Sequence, residues 1–143
     1  MTAMNTPNTA REIIVIDAGV ADWKTLIAGL NPDIPVILLP PGGNGLDALA
    51  LALAGYGELD ALHLVSHGGT GRIQLGDLRL TSANLHDEAS ALATVASHMT
   101  ADSDVLIYGC SVAAGDSGQA FVKDLSSALG GADIAASTDR TGP

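Results

Sequence analysis

A single cysteine, one phenylalanine, one tryptophan and two tyrosines stand in 143 residues, and lysine and arginine together number only 6 against 16 aspartates and glutamates. One cysteine excludes an internal disulfide and any multi-cysteine metal cluster. With aromatics at 3% and hydrophobic residues at 47%, the core has to be built from Leu, Ile, Val and Ala. The formal charge of −10 argues against nucleic acid or an anionic membrane as partner, because the summed field repels a polyanion. No apolar run reaches the roughly 18 residues of a membrane span, so membrane insertion is not expected. Residues 1–10 lack the apolar centre of an amino-terminal secretory signal. The spacing of His63, His86 and His98 matches no zinc motif, and neither metal nor cofactor is expected.

What is abundant is glycine, 17 residues falling mostly between short apolar runs, as an α/β protein with tight connections requires. The length is that of one domain. Met1 to Ala10 reads as a disordered tail. Ile13 to Ile16 is a wholly apolar, β-branched run suited to a strand covered on both faces. Trp23, Leu26, Ile27 and Leu30 then recur at helical spacing until Asn31-Pro32. A second strand is expected over Ile34 to Leu39. Next comes a helix capped by Asn44, carrying Leu46, Leu49, Leu51 and Leu53 and apolar nearly all round. The third strand is Ala61 to Ser66.

Connections of this length make right-handed crossovers, which predicts a parallel sheet with helices on both faces. After His67-Gly68-Gly69, read as a turn, Arg72 to Leu80 alternates polar and apolar residues around Gly76-Asp77 and predicts a small β-hairpin. A helix over about Leu85 to Met99 follows, with Leu85, Ala89, Leu92, Ala96 and Met99 on its inner stripe. The fourth strand is Asp104 to Tyr108. A helix capped by Asp116 or Ser117 carries Phe121, Leu125 and Leu129 inward and ends at Gly130-Gly131, and Asp133 to Ser137 is a fifth strand. Gly42-Gly43-Asn44-Gly45 before a helix is a weak phosphate-turn signal without a lysine.

Two strands end at residues fit for nucleophilic chemistry. Asp104 to Tyr108 runs into Gly109-Cys110, and Ala61 to Ser66 runs into His67. Parallel strands of an open α/β sheet bring their carboxyl ends to one edge, so a thiol and an imidazole can stand side by side there. A neighbouring histidine lowers the thiol pKa and later protonates the leaving group. The amides of Gly68, Gly69 and Cys110 are candidate donors to a developing oxyanion. That constellation fits acyl transfer such as peptide-bond cleavage. Taken singly, Cys110 also reads as a small core hydrophobe and His67 as a turn histidine; the pairing rests on both standing at strand ends.

Ser66-His67-Gly68, a hairpin, a helix and a strand ending in Tyr108-Gly109-Cys110 resemble the His-Gly and Ala-Cys blocks of the caspase-like (clan CD) cysteine peptidases. More closely, Val65-Ser66-His67-Gly68, Asp104 to Ala113 and Ala135-Ala136-Ser137-Thr138-Asp139 resemble an uncharacterised caspase-like domain found near the amino terminus of large bacterial repeat adhesins. The likeness runs from about Arg11 onward. It departs from the family where Tyr108-Gly109 replaces the usual small pair before the cysteine.

The resemblance implies a caspase-hemoglobinase fold, a three-layer α/β sandwich, over residues 11–143, and a catalytic pair of Cys110 and His67. It further implies cleavage of a polypeptide, the rest of its own chain among the candidates, and an extracellular or cell-surface parent longer than the present sequence. In such folds the P1 pocket comes from the loop after the first strand and the segment after the strand following the cysteine, here Asp17 and Asp139, so an arginine or lysine at P1 is expected. Asp17 can instead cap a helix and Asp139 a turn. Two rival readings are a catalytically silent interaction or retention module of an adhesin, and a flavodoxin-like domain holding a small anion at its glycine turns.

Overall fold

Ile13, Ile14, Val15 and Ile16 are all buried, as a β-branched run in the middle of a two-sided sheet should be. In the computed structural model, which describes residues 11–17, 20, 23–26, 28, 29, 33–40, 42–100, 102–108 and 111–136, they form the centre of strand β1 (Glu12–Asp17). There follow α1 (Trp23–Leu26), β2 (Val36–Leu39), α2 (Gly45–Leu53) and β3 (Ala61–Val65). Strands β4 (His67–Gly69), β5 (Arg72–Leu75) and β6 (Leu78–Thr81) come next. A 3₁₀ turn (His86–Glu88), α3 (Ala89–Ala96), β7 (Asp104–Tyr108), α4 (Gly115–Ala128) and β8 (Asp133–Ala136) complete the order. The tail to Ala10 and the expected helical positions Ile27 and Leu30 lie outside the described residues.

Five strands form one parallel sheet in the order β2-β1-β3-β7-β8. From β1 the chain steps one way to β2, then back across β1 to β3 and onward to β7 and β8. Right-handed crossovers therefore put the β1–β2 connection on one face and α2, α3 and α4 on the other. Side-chain packing agrees. Ile13, Val15, Leu62, Leu64, Val105 and Ile107 join Leu46, Leu49, Leu53, Leu92, Val95, Phe121 and Leu125 in the larger core. On the opposite face Ile14, Ile16 and Val65 pack with Val20, Ile34 and Tyr108. The fold is thus the expected three-layer α/β sandwich with a mainly parallel sheet.

The small antiparallel sheet is larger than the sequence suggests. His67–Gly69 is a strand rather than a turn, giving a three-stranded sheet β4-β5-β6. An isolated two-stranded ribbon is marginal in water, and the third strand together with burial of Ile73, Leu75 and Leu80 stabilises it. Gly76, with φ of 63°, takes the first position of the Gly76-Asp77 turn, as a two-residue hairpin of this hand requires.

Other local expectations need correction. Asn44 does cap α2, its Oδ1 accepting from the amides of Leu46 and Asp47, but Leu51 on that helix is 77% exposed. A segment composed almost wholly of Leu and Ala does not reveal which face points out. The helix expected over Leu85 to Met99 is a 3₁₀ turn followed by the shorter α3, with Ala91, Leu92 and Val95 inward while Ala89 is exposed. Helix α4 begins at Gly115 after Ala114, with no side-chain cap from Asp116 or Ser117. It ends as expected: the amides of Gly130 and Gly131 return to the carbonyls of Ser127 and Ser126, a Schellman closure for which glycine's positive φ suits it.

Candidate active site at the carboxyl ends of β1, β3 and β7

The sheet order reverses between β1 and β3, and in open α/β sheets ligands bind outside the carboxyl ends of the strands at such a point. Asp17 closes β1 there, with the residue only 3% exposed. Ile16 is registered with Val65, so Asp17 and Ser66 are the next residues along neighbouring strands. Ser66 is equally buried, and its Oγ is a buried side-chain oxygen with no hydrogen-bond partner among the described residues.

Strand β7 lies on the other side of β3. Val65 is registered with Tyr108, and the amide of Ser66 donates to the carbonyl of Tyr108 at 3.2 Å. His67 stands two residues beyond Val65, and Cys110 two residues beyond Tyr108. Cys110 itself lies outside the described residues, as does Asp139. The described chain resumes at Ser111, whose φ of 56° makes it the one non-glycine residue in the left-handed region among those described. Such a conformation costs about 1–3 kcal/mol and collects at functional turns.

His67 is exposed and begins β4. The small sheet that carries it is tied down at both ends. At one end the amide of Gly43 donates to Asp77 Oδ2 at 2.9 Å, and the amide of Asp77 returns to the carbonyl of Gly43 at 2.7 Å. At the other, the amide of Gly71 donates to the carbonyl of Val112 at 3.0 Å. These contacts account for the glycines before α2 without a phosphate. The Gly43 amide is spent on Asp77, those of Leu46 and Asp47 are spent on Asn44, and a side chain at Gly45 would strike the backbone of Leu75 at 2.4 Å.

The strand character of His67–Gly69 also bears on the expected amide donors. In an antiparallel ladder, successive residues direct their amides alternately toward and away from the partner strand. Of the adjacent Gly68 and Gly69, one therefore turns its N–H to β5 and only the other faces outward. A groove of about 230 Å³ opens beside this rim, lined by Leu106, Ile107 and Tyr108 of β7 and by Ala135 and Ala136 of β8.

One polar constellation was not legible beforehand. His63, buried on β3, hydrogen-bonds through Nδ1 to the Tyr108 hydroxyl at 2.9 Å and through Nε2 to the Glu12 carboxylate. The sequence placed His63 on a buried strand without a partner. The missed signal was its equal parity with Glu12 and Tyr108 on adjoining strands. Burial, with the nearby Glu12 charge second, pushes the Tyr108 phenol above its ordinary pKa. His98 instead contacts the carbonyl of Gly57 at 3.1 Å, and Asp60, at the amino end of β3, pairs with Arg11 at 2.8 Å. Among the described residues no three His, Cys, Asp or Glu side chains gather as metal ligands, and no helix is long and apolar enough to cross a membrane.

The fold and rim define a doubly wound α/β domain whose strand order reverses beside the buried side chains of Asp17 and Ser66. Within that class the chain belongs to the DUF4347 family, a domain of unknown function, whose profile matches residues 13–143. No curated protein and no solved structure is significantly similar to it.

Proposed function

We propose that the domain is a cysteine endopeptidase in which Cys110 is the nucleophile and His67 the general acid and base. The observation that carries this reading is the parallel register of β3 with β7: Val65 opposes Tyr108, and the imidazole and thiol residues each follow two positions later. The left-handed Ser111 next to Cys110 and the Gly71–Val112 hydrogen bond support it further. In the reaction, the Cys110 sulfur attacks the scissile carbonyl carbon, and the carbon–nitrogen bond breaks as His67 protonates the leaving amine. Water, deprotonated by His67, then releases the carboxylate and restores the thiol. An outward amide of Gly68 or Gly69 and that of Cys110 receive the oxyanion.

Asp17 and Asp139 make arginine or lysine the favoured P1 residue, because a cation entering a partly desolvated acidic pocket gains charge-assisted hydrogen bonds. The burial of Asp17 beside Ser66 supports the first half of that pocket. The likeness to adhesin-borne domains makes the rest of its own exported parent, or a neighbouring surface protein, the proposed substrate. An arginyl or lysyl chloromethylketone should label the protein, with labelling lost in both Cys110→Ala and His67→Ala. Thiol reactivity unchanged in His67→Ala would remove the reason for pairing the two.

A further inference from the structure

The outer face of the small sheet carries two arginines and no carboxylate in its outward rows. Ile73, Leu75 and Leu80 turn inward, so the opposite positions of the three strands face out. Across the sheet these fall in two rows, His67–Gln74–Arg79 and Gly69–Arg72–Thr81. Neither row holds a carboxylate, although acids outnumber lysine and arginine 16 to 6 in the chain. Neither Arg72 nor Arg79 has an ion pair among the described residues; the pairs present there are Arg11–Asp60 and His63–Glu12.

Arg72 also lies across its neighbour strand. Its Nε, Nη2 and Cζ atoms lie 2.7–2.8 Å from where a Cβ on Gly69 would stand, so the guanidinium rests on the bare backbone of β4. Arg72 is half-buried there, whereas a solvated arginine would extend into water. A planar fork held on one strand loses less freedom on binding and matches a carboxylate with two parallel hydrogen bonds.

We propose that this face docks an acidic stretch of polypeptide, with Arg72 the anchoring cation and Arg79 reinforcing it. The proposal rests on the peptidase reading for its meaning: Gly69, beneath the guanidinium, is two residues from His67 on the same strand. Two strand residues span about 6.6 Å, so a glutamate or aspartate about two or three positions from the scissile bond reaches Arg72. The preferred substrate is therefore an acidic segment interrupted by one basic residue, the recognition of the acid being local because the net charge of −10 repels it at long range.

Two measurements test this separately from catalysis. In the first, the Cys110→Ala chain is titrated into a fluorescein-labelled peptide with three glutamates around one arginine, and into its three-glutamine counterpart, with anisotropy as the readout. The glutamate peptide should bind at least about tenfold tighter, the low end for charge-assisted hydrogen bonds. That ratio should fall to near unity in Arg72→Gln and drop partway both in Arg79→Gln and in Arg72→Lys, which keeps the charge but not the planar fork. In the second, the chain with Cys110 intact is given both peptides and cleavage is mapped.

Selective binding without cleavage would leave the docking face standing and remove the peptidase. Equal cleavage and equal binding of the two peptides would remove the docking face and leave the peptidase. A glutamate preference undiminished in Arg72→Gln would overturn the role given to Arg72.

Discussion

The amide of Gly71 donates to the carbonyl oxygen of Val112 at 3.0 Å, joining the hairpin that starts at His67 to the segment that starts after Cys110. Gly71 has a φ of 71°, and a Cβ added there would stand 3.1 Å from the carbonyl oxygen of Ser117. Gly71→Ala should therefore cost about 1–2 kcal/mol in denaturant unfolding. Under the proposed pairing it should also slow alkylation of Cys110, because the imidazole that lowers the thiol pKa is no longer held to that rim. Unchanged alkylation alongside lowered stability would separate the tie from the chemistry.

Gly118 lies inside α4, where alanine ordinarily raises helix stability. Here the added methyl would stand 2.4 Å from the carbonyl carbon of Ala113 and 2.7 Å from the carbonyl oxygen of Val112. Backbone cannot rotate away as a side chain can, so Gly118→Ala should destabilise by about 1–3 kcal/mol despite its better propensity. Gly57→Ala, with nothing within 4 Å, is the control and should shift the unfolding midpoint very little.

The Tyr108 phenol has its pKa raised by burial first and by Glu12 second. A raised folded-state value means that its stabilising contribution is complete below the unfolded tyrosine pKa of about 10. It is lost as pH climbs through the higher folded value. Near-ultraviolet absorbance should show a tyrosine ionisation above the ordinary value, and Tyr108→Phe should remove that late step. At neutral pH the same substitution leaves His63 Nδ1 without its partner and should cost about 1–2 kcal/mol. A titration in which Tyr108→Phe removes no late step would contradict the buried contact.

On α2, Leu51 and Leu49 are two residues apart but differ in surroundings, 77% against 2% exposed. Leu51→Lys should alter stability by no more than about 0.5 kcal/mol. Leu49→Ala should cost about 2–5 kcal/mol through the cavity it leaves. Equal losses at both positions would mean that Leu51 is covered in solution.

Strands and helices with a strong period were readable from the chain. Ile13 to Ile16 could only be a two-sided strand, and Phe121, Leu125 and Leu129 with Gly130-Gly131 fixed the face and end of α4. His67–Gly69 was not readable as β4, since two glycines carry no strand preference and the segment pairs only because β5 offers an edge in the folded molecule. The Glu12–His63–Tyr108 chain joins three segments 45 and 51 residues apart in its two contacts, which no local pattern encodes. Of the candidate site, Asp17 ends β1 and His67 begins β4 two residues past the end of β3, while Gly68 and Gly69 belong to β4, where pairing with β5 takes one of their amides. Arg72 is not marked by the sequence, since its alternation with Ile73 shows it only as outward, and its position over Gly69 is a matter of three dimensions.

The small sheet is buckled to the body at Gly43 and at Val112, and these two anchor points enter the polypeptide 69 residues apart. A ribosome delivers the first long before the second. The wall bearing His67 therefore stays half-fastened through much of synthesis and takes its final position only once the turn after β7 has emerged. Under the proposed chemistry, an imidazole installed last gives a nascent chain little opportunity to act on itself or its neighbours before the surrounding domain is whole.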